Sequence, residues 1–180
     1  IVSMHQDLTY WGLGATDHLV TAWIALSEVN VESGCMQFVA GSHANQILPH
    51  EDTFADNNLL SRGQEIQVQV AEEDKTDIVL RSGQVSLHHG RMIHGSGPNS
   101  SEDRRIGFVI RYVSPDVMQE VAQKDYAMLV RGVDRARHFV HYTPPPSLFA
   151  PSHLALYEEI REAKKQAMMA GASKSSTLYD

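Results

Sequence analysis

A histidine and a carboxylate stand two positions apart in "SMHQDLTYWG", as His5 and Asp7. The stretch does not read as helix. On an extended strand residues i and i+2 point to the same side, so a strand over "MHQDL" projects His5 and Asp7 together and Gln6 away from them. An imidazole and a carboxylate side by side form one edge of a metal site, which a ligand from elsewhere in the chain has to close. Of the 10 histidines, His94 suits that role best. It follows the apolar approach "RMIHG" and precedes the glycine-rich turn "GSGPN", which suggests a strand end facing the mouth of a barrel. Two imidazoles and one carboxylate occupy one face of an ion and leave the opposite positions open, as non-haem Fe(II) oxygenases require. Open positions can chelate a 2-oxo acid and take O2. A closed thiolate site for zinc is not indicated, because Cys35 is the one cysteine. The other histidines have blander readings: His18 lies too near the pair, His88 and His89 fit an ordinary strand, and His43 fits a turn.

The elements that must carry these residues are mostly strands. "LVTAWIAL" (19–26) is rich in β-branched and aromatic residues, and "EIQVQV" (65–70) alternates polar and apolar residues. "DIVL" (77–80) and "QVSLHH" (84–89) flank the turn "RSG". "RRIGFVIRYV" (104–113) is apolar on both faces and so expected to be buried on both sides. Turn clusters separate them at "NVESG", "AGSHAN" and "HGSGPNSSED". Many short strands at short spacing favour a sandwich or barrel over a parallel sheet with crossover helices. The last third differs. "PDVMQEVAQKDYAMLV" reads as partly helical and "YTPPPSLFAP" as a proline-rich surface segment. "SHLALYEEIREAKKQAMMAG" (152–171) reads as a helix packed on or beside the β core, capped by Ser152 and ended by Gly171. The tail "ASKSSTLYD" reads as frayed.

Bulk properties bound the function. The 180 residues suit one domain with a real core, and 42% hydrophobic content is that of a globular chain. A formal net charge of -7 argues against a general nucleic-acid partner. No apolar run is long enough to span a bilayer, no signal peptide is visible, and a lone cysteine suits a reducing, cytoplasmic setting. A small-molecule substrate is left as the expected partner, with the oligomeric state unassigned.

Three blocks, "MHQDLTYW", "VTAWIALSEVNVESGCMQFVAGSH" and "HHGRMIHGSGPNSSEDRRIGFVIRYV", resemble the phytanoyl-CoA dioxygenase family, in the same order and at similar spacing from His5 to about Val113. The resemblance implies a mainly β fold: a double-stranded β-helix (jelly roll, cupin-like) with flanking helices, including one at the C-terminal end. It implies an Fe(II)- and 2-oxoglutarate-dependent dioxygenase that uses O2, hydroxylates a C–H bond of a small molecule and releases succinate and CO2. Position by position, it makes His5, Asp7 and His94 the iron ligands. It makes Arg105 the arginine gripping the distal carboxylate of 2-oxoglutarate, Ser96 a hydroxyl that helps, and Trp23 a wall of the cosubstrate pocket. Ala40 stands where the family usually has proline before Gly-Ser-His. Arg104 and Arg105 face opposite ways on a strand, and the family spacing selects Arg105. Family members carry further elements ahead of the His-X-Asp strand, so a single oxygenase domain over residues 1–180, lacking its N-terminal part, is the expected organisation. Gln6, Tyr10, Trp11 and "RGVDRARHFVHY" offer candidate pocket residues, most of them read more simply as packing or solvated surface. Two rival functions share the scaffold: a cupin-like metalloenzyme that does not use 2-oxoglutarate, and a non-catalytic small-molecule-binding protein.

Overall fold

The β-branched and aromatic residues of "LVTAWIA" form the central strand of one sheet, and the strands around it follow from similar short patterns. In the computed structural model, which describes residues 1–174, the chain runs through β1 (Val2–His5), α1 (Leu8–Trp11), β2 (Leu19–Ala25), β3 (Met36–Val39), β4 (His50–Asp52), β5 (Gln64–Ile66), β6 (Lys75–Ile78), β7 (Val85–His88), β8 (His94–Ser96), β9 (Gly107–Val113), β10 (Asp125–Ala127), β11 (Phe139–His141) and α2 (Pro151–Met169). The expected frayed tail lies outside the described residues from position 175 on.

The chain forms two units. The first comprises Ile1–Thr9 and Asp17–Val113. It holds an antiparallel sheet of order β1-β8-β3-β6, a second of order β7-β2-β9, and the hairpin β4-β5. The two larger sheets face each other across a cavity lined from both. This is the mainly β, double-stranded β-helix layout expected from the sequence. Ala25, Val29 and Cys35 form a buried apolar cluster, packed by Trp23 and Leu80. The second unit comprises Tyr10–Thr16 and the described residues from Ser114 onward. It holds the parallel pair β10-β11 and α2, which is tied to β10 by Lys164 donating to Asp125 (2.6 Å) and Tyr126 donating to Glu159 (3.2 Å).

Four local expectations need correction. "EIQVQV" is a strand only over Gln64–Ile66. Its partner strand is three residues long and preceded by Pro49, whose carbonyl accepts from Gln67 (2.9 Å) but which has no N–H to return. "RRIGFVIRYV" pairs only from Gly107, and it is not buried on both sides: β9 is an edge strand, and Phe108 on its outer face is 55% exposed. "PDVMQEVAQKDYAMLV" forms no helix. Gln119 Oε1 accepts the N–H groups of Val121 and Ala122, holding the chain in turns until β10. Ser152 does not cap α2, because Pro151 occupies the first helical turn after Ala150 and its fixed φ starts the helix earlier. Past Met169, Gly171 adopts φ 73°, a left-handed stop.

Candidate metal centre

Strand register makes the site. β1 and β8 are antiparallel neighbours in which His5 lies opposite His94. Directly opposed side chains sit about 5 Å apart at Cβ, so the two imidazoles meet, with ring centroids 4.3 Å apart. Gly95 lets the strands close: a Cβ there would stand 2.7 Å from the Val2 carbonyl oxygen. Asp7 arrives differently from the sequence expectation. β1 ends at His5, and Asp7 sits in the turn before α1, so it is a bend and not strand alternation that returns its carboxylate to His5. The residue between them holds that bend. Gln6 is 0% exposed; its backbone N–H donates to His50 Nε2 (3.0 Å), its amide nitrogen donates to the Arg91 carbonyl (2.8 Å), and its Oε1 accepts from Leu48 N–H (2.8 Å). His94 opens β8 instead of ending a strand. Its approach is fixed by Ser42 of the "GSH" turn, whose hydroxyl accepts the N–H of Ile93 (2.8 Å).

One ligand atom each from His5, Asp7 and His94 falls within 4.8 Å of the others, and His5 Nε2 lies 3.4 Å from Asp7 Oδ1. Donors about 2.1 Å from an ion and at right angles lie about 3 Å apart; the His5–Asp7 separation is close to that, and the group is near enough to close on a first-row divalent ion. The tautomers fit too. His5 Nδ1 is 2.8 Å from the Ser3 carbonyl and His94 Nδ1 is 2.9 Å from the Met92 carbonyl. A carbonyl only accepts, so both Nδ1 atoms carry the proton and both Nε2 lone pairs are available to a cation. Burial, with the adjacent His5, pushes His94 down to about 3, so its imidazole is neutral. Burial works against Asp7 ionising, but the His5 ring against it and the charges around it outweigh this and hold its carboxyl below the usual range. The set is two imidazole nitrogens and one carboxylate.

The cavity beside this triad measures about 180 Å³. Arg105 and Ser96 line it, and Arg105 Nη2 donates to Ser96 Oγ (3.3 Å). Burial lowers the Arg105 pKa, yet a guanidinium stays charged. Trp23 lies under it, the guanidinium carbon 5.7 Å from the ring centroid. Gly107 makes room for that indole: a Cβ there would stand 2.1 Å from Trp23 Cζ2. All six residues that the resemblance assigned to the metal and the cosubstrate therefore border one cavity, and Gln6, Tyr10 and Trp11 do not. Arg104 is not among those lining it, and its backbone N–H donates to Asp103 (2.7 Å).

The sequence reading missed three more polar residues of the wall, Thr21, His88 and Arg111. His88 was read as an ordinary strand residue. It is buried, its ring centroid is 4.9 Å from that of His94, and burial pushes its pKa down to about 4. Side-chain parity in "VTAW", "VSLH" and "RIGFVIR" carried a signal for all three. Gln6 was offered as a pocket residue, but its side chain is spent on backbone groups.

Known proteins share this layout. The family model for phytanoyl-CoA dioxygenase (PhyH) matches residues 2–107. A probable phytanoyl-CoA dioxygenase of Caenorhabditis elegans is 29% identical over 118 residues, which are 66% of this chain and 38% of that protein. The non-heme monooxygenase ThoJ, in its apo form, superposes with a TM-score of 0.81 at 33% identity over 94% of this chain and 60% of its own, and its nickel complex with 0.72 at 29% identity over 94% and 59%. EvdO2 of Micromonospora carbonacea var. aurantiaca, complexed with 2-oxoglutarate, gives 0.53 at 26% identity over 66% and 49%. The chain thus spans between 38% and 60% of the length of these relatives.

Proposed function

The chain belongs to the phytanoyl-CoA dioxygenase family, and from that premise we propose that it is a non-haem Fe(II)- and 2-oxoglutarate-dependent dioxygenase that hydroxylates a C–H bond of a small molecule, with release of succinate and CO2. The observation that carries the reading is the joining of the His5–Asp7–His94 triad and the Arg105–Ser96 pair in one cavity. A triad alone suits many metalloenzymes. A charged guanidinium beside a hydroxyl and over an indole suits one end of a dicarboxylate whose other end reaches the metal. EvdO2, with its 2-oxoglutarate, supports that choice of cosubstrate, and the nickel bound by ThoJ supports a divalent ion.

Iron would be held by His5 Nε2, His94 Nε2 and Asp7, and when bound with 2-oxoglutarate and O2 it supplies the oxidising power that no side chain has. The chain's own residues do the rest. The Ser3 and Met92 carbonyls orient the imidazoles. Gln6 fixes the turn that presents Asp7. Arg105 offers a planar fork to the distal carboxylate, a bidentate match that a lysine lacks, and Ser96 shares that end. Trp23 backs the guanidinium and keeps water from its face. Asp7 adds the one anionic protein ligand, which lowers the net charge of the loaded site and takes the place a halide would need.

The test is succinate formation on mixing the protein with Fe(II), ascorbate, O2 and 2-oxoglutarate, followed by a screen for compounds that accelerate it. Succinate in the native protein and none after Asp7→Ala is the expected result. A metal-dependent reaction that consumes no 2-oxoglutarate would sink the reading in favour of a cupin-like enzyme.

A further inference from the structure

The sheet β7-β2-β9 has its polarity reversed. Its outer face carries Leu87, Ala22, Ile110 and Phe108, with Leu87 66% exposed. Its inner face, where a core would ordinarily be apolar, carries a continuous polar row. Thr21 of β2 lies directly opposite His88 of β7 on one side and directly opposite Arg111 of β9 on the other. All three side chains line the cavity of the metal triad. Two of them are buried without satisfaction: Thr21 is 2% and His88 4% exposed, and neither Thr21 Oγ1 nor His88 Nδ1 has a hydrogen-bond partner among the described residues. A buried hydroxyl and a buried ring nitrogen left unpaired cost about 1–3 kcal/mol each, and a fold retains such groups where a ligand satisfies them.

Charge points to the kind of ligand. Of the residues lining the cavity, Asp7 is the one acid, and Arg105 and Arg111 are the arginines. This step rests on the function proposed above. A divalent ion and Arg105 match in number the charge of Asp7 and the two charges of 2-oxoglutarate, and Arg111 adds a second guanidinium to the same wall. Along the inner face it comes after Arg105, Gly107 and Val109, three side-chain steps from the cosubstrate arginine and on the same wall. We propose that the row His88–Thr21–Arg111 is the subsite for an oxyanion on the primary substrate. The substrate is then a small molecule with a carboxylate or a phosphoryl group at one end, held by the Arg111 fork, the Thr21 hydroxyl and the His88 ring nitrogen while the C–H bond to be attacked lies over the metal.

The test uses nickel-loaded protein saturated with 2-oxoglutarate, which binds without turning over. Calorimetric titration with acetate, methylphosphonate and the neutral acetamide is run on the native protein, Arg111→Gln, Arg111→Lys and Thr21→Val. The expected result is that one of the two anions binds and acetamide does not. Arg111→Gln should weaken that anion at least tenfold, Arg111→Lys should recover part of the loss, and Thr21→Val should weaken it severalfold. Binding of acetate alone identifies a carboxylate, and binding of methylphosphonate alone a phosphoryl group. Equal affinity in the native protein and Arg111→Gln, or no anion binding in the native protein, overturns the proposal. So does a fall in 2-oxoglutarate affinity in Arg111→Gln with anion binding kept, which would make Arg111 a cosubstrate anchor and leave the dioxygenase reading standing. Failure of the native protein to bind nickel or 2-oxoglutarate overturns both.

Discussion

At the scale of single residues, Asp7 and Arg105 separate two duties in one cavity. In the proposed reaction Asp7 would hold the ion, so Asp7→Ala should weaken Fe(II) binding and abolish the proposed hydroxylation, read as metal content and product from the same sample. A variant that hydroxylates at near-native rate with its metal confirmed would exclude Asp7 as a ligand. Arg105 would hold the cosubstrate in that reading, so Arg105→Ala should raise the apparent KM for 2-oxoglutarate by an amount on the order of 2–5 kcal/mol and leave metal affinity nearly intact. Arg104→Ala, off the cavity wall, is the control; the opposite pattern would reverse the assignment. The triad was legible because three short blocks carry it at fixed spacing. The companions His88, Thr21 and Arg111 were not, because parity names a face of each strand but not its register against its neighbours. That register, Thr21 opposite both His88 and Arg111, is a property of the folded sheet.

At the scale of elements, the instructive case is the short connection between β1 and α1. The sequence reading put His5 and Asp7 on one side by strand alternation. The chain brings them together by a bend that Gln6 anchors to Arg91 and Leu48. Alternation cannot reveal this, since a glutamine pointing away from a site and one buried at its root look alike. Gln6→Ala should therefore lower metal affinity about 10–100-fold although Gln6 does not touch the ion, measured by competition with a chelating dye; unchanged affinity would mean that the bend holds itself. β9 gives a second case. Gly107→Ala should displace the Trp23 indole, because its Cβ would stand 2.1 Å from the ring. Cosubstrate affinity should fall and Trp23 fluorescence should shift, both absent if the strand simply moves aside. The expectation that β9 is buried on both sides came from its apolar residues alone, and pattern cannot show which face another layer covers.

At the scale of the whole molecule, the buried imidazoles make stability depend on pH in a definite direction. His94 and His88 hold their protons more weakly in the folded chain, near pH 3 and 4, than an ordinary imidazole near 6.5. Above pH 6.5 neither the folded nor the unfolded chain protonates them, and their contribution is complete. As pH falls below 6.5 the unfolded chain takes up protons that the folded chain refuses, so stability declines until the folded imidazoles protonate in turn. The carboxyl of Asp7, held below its usual range, adds to the loss at the acid end. Urea midpoints of the chelator-treated protein should drop between pH 7.5 and 5, and less so in His88→Gln; a flat profile would show that these rings open to water. A bound divalent ion should raise the midpoints most at neutral pH and steepen the acid-side loss, because it keeps the His94 nitrogen unprotonated in the folded chain while the unfolded chain still takes up its proton.

The pairing of β1 with β8 has a consequence in time. His5 and His94 are 89 positions apart in the chain, and at ~5–20 residues per second the second follows the first from the ribosome by roughly 5–20 s. For that interval β1 has no strand to pair with and Asp7 has no His94 to face, while β2 and β3 have already been made. Contacts of this span form late and slowly. Metal capture is therefore an event that follows synthesis of the centre, and the nascent chain passes that interval without an ion to hold it together.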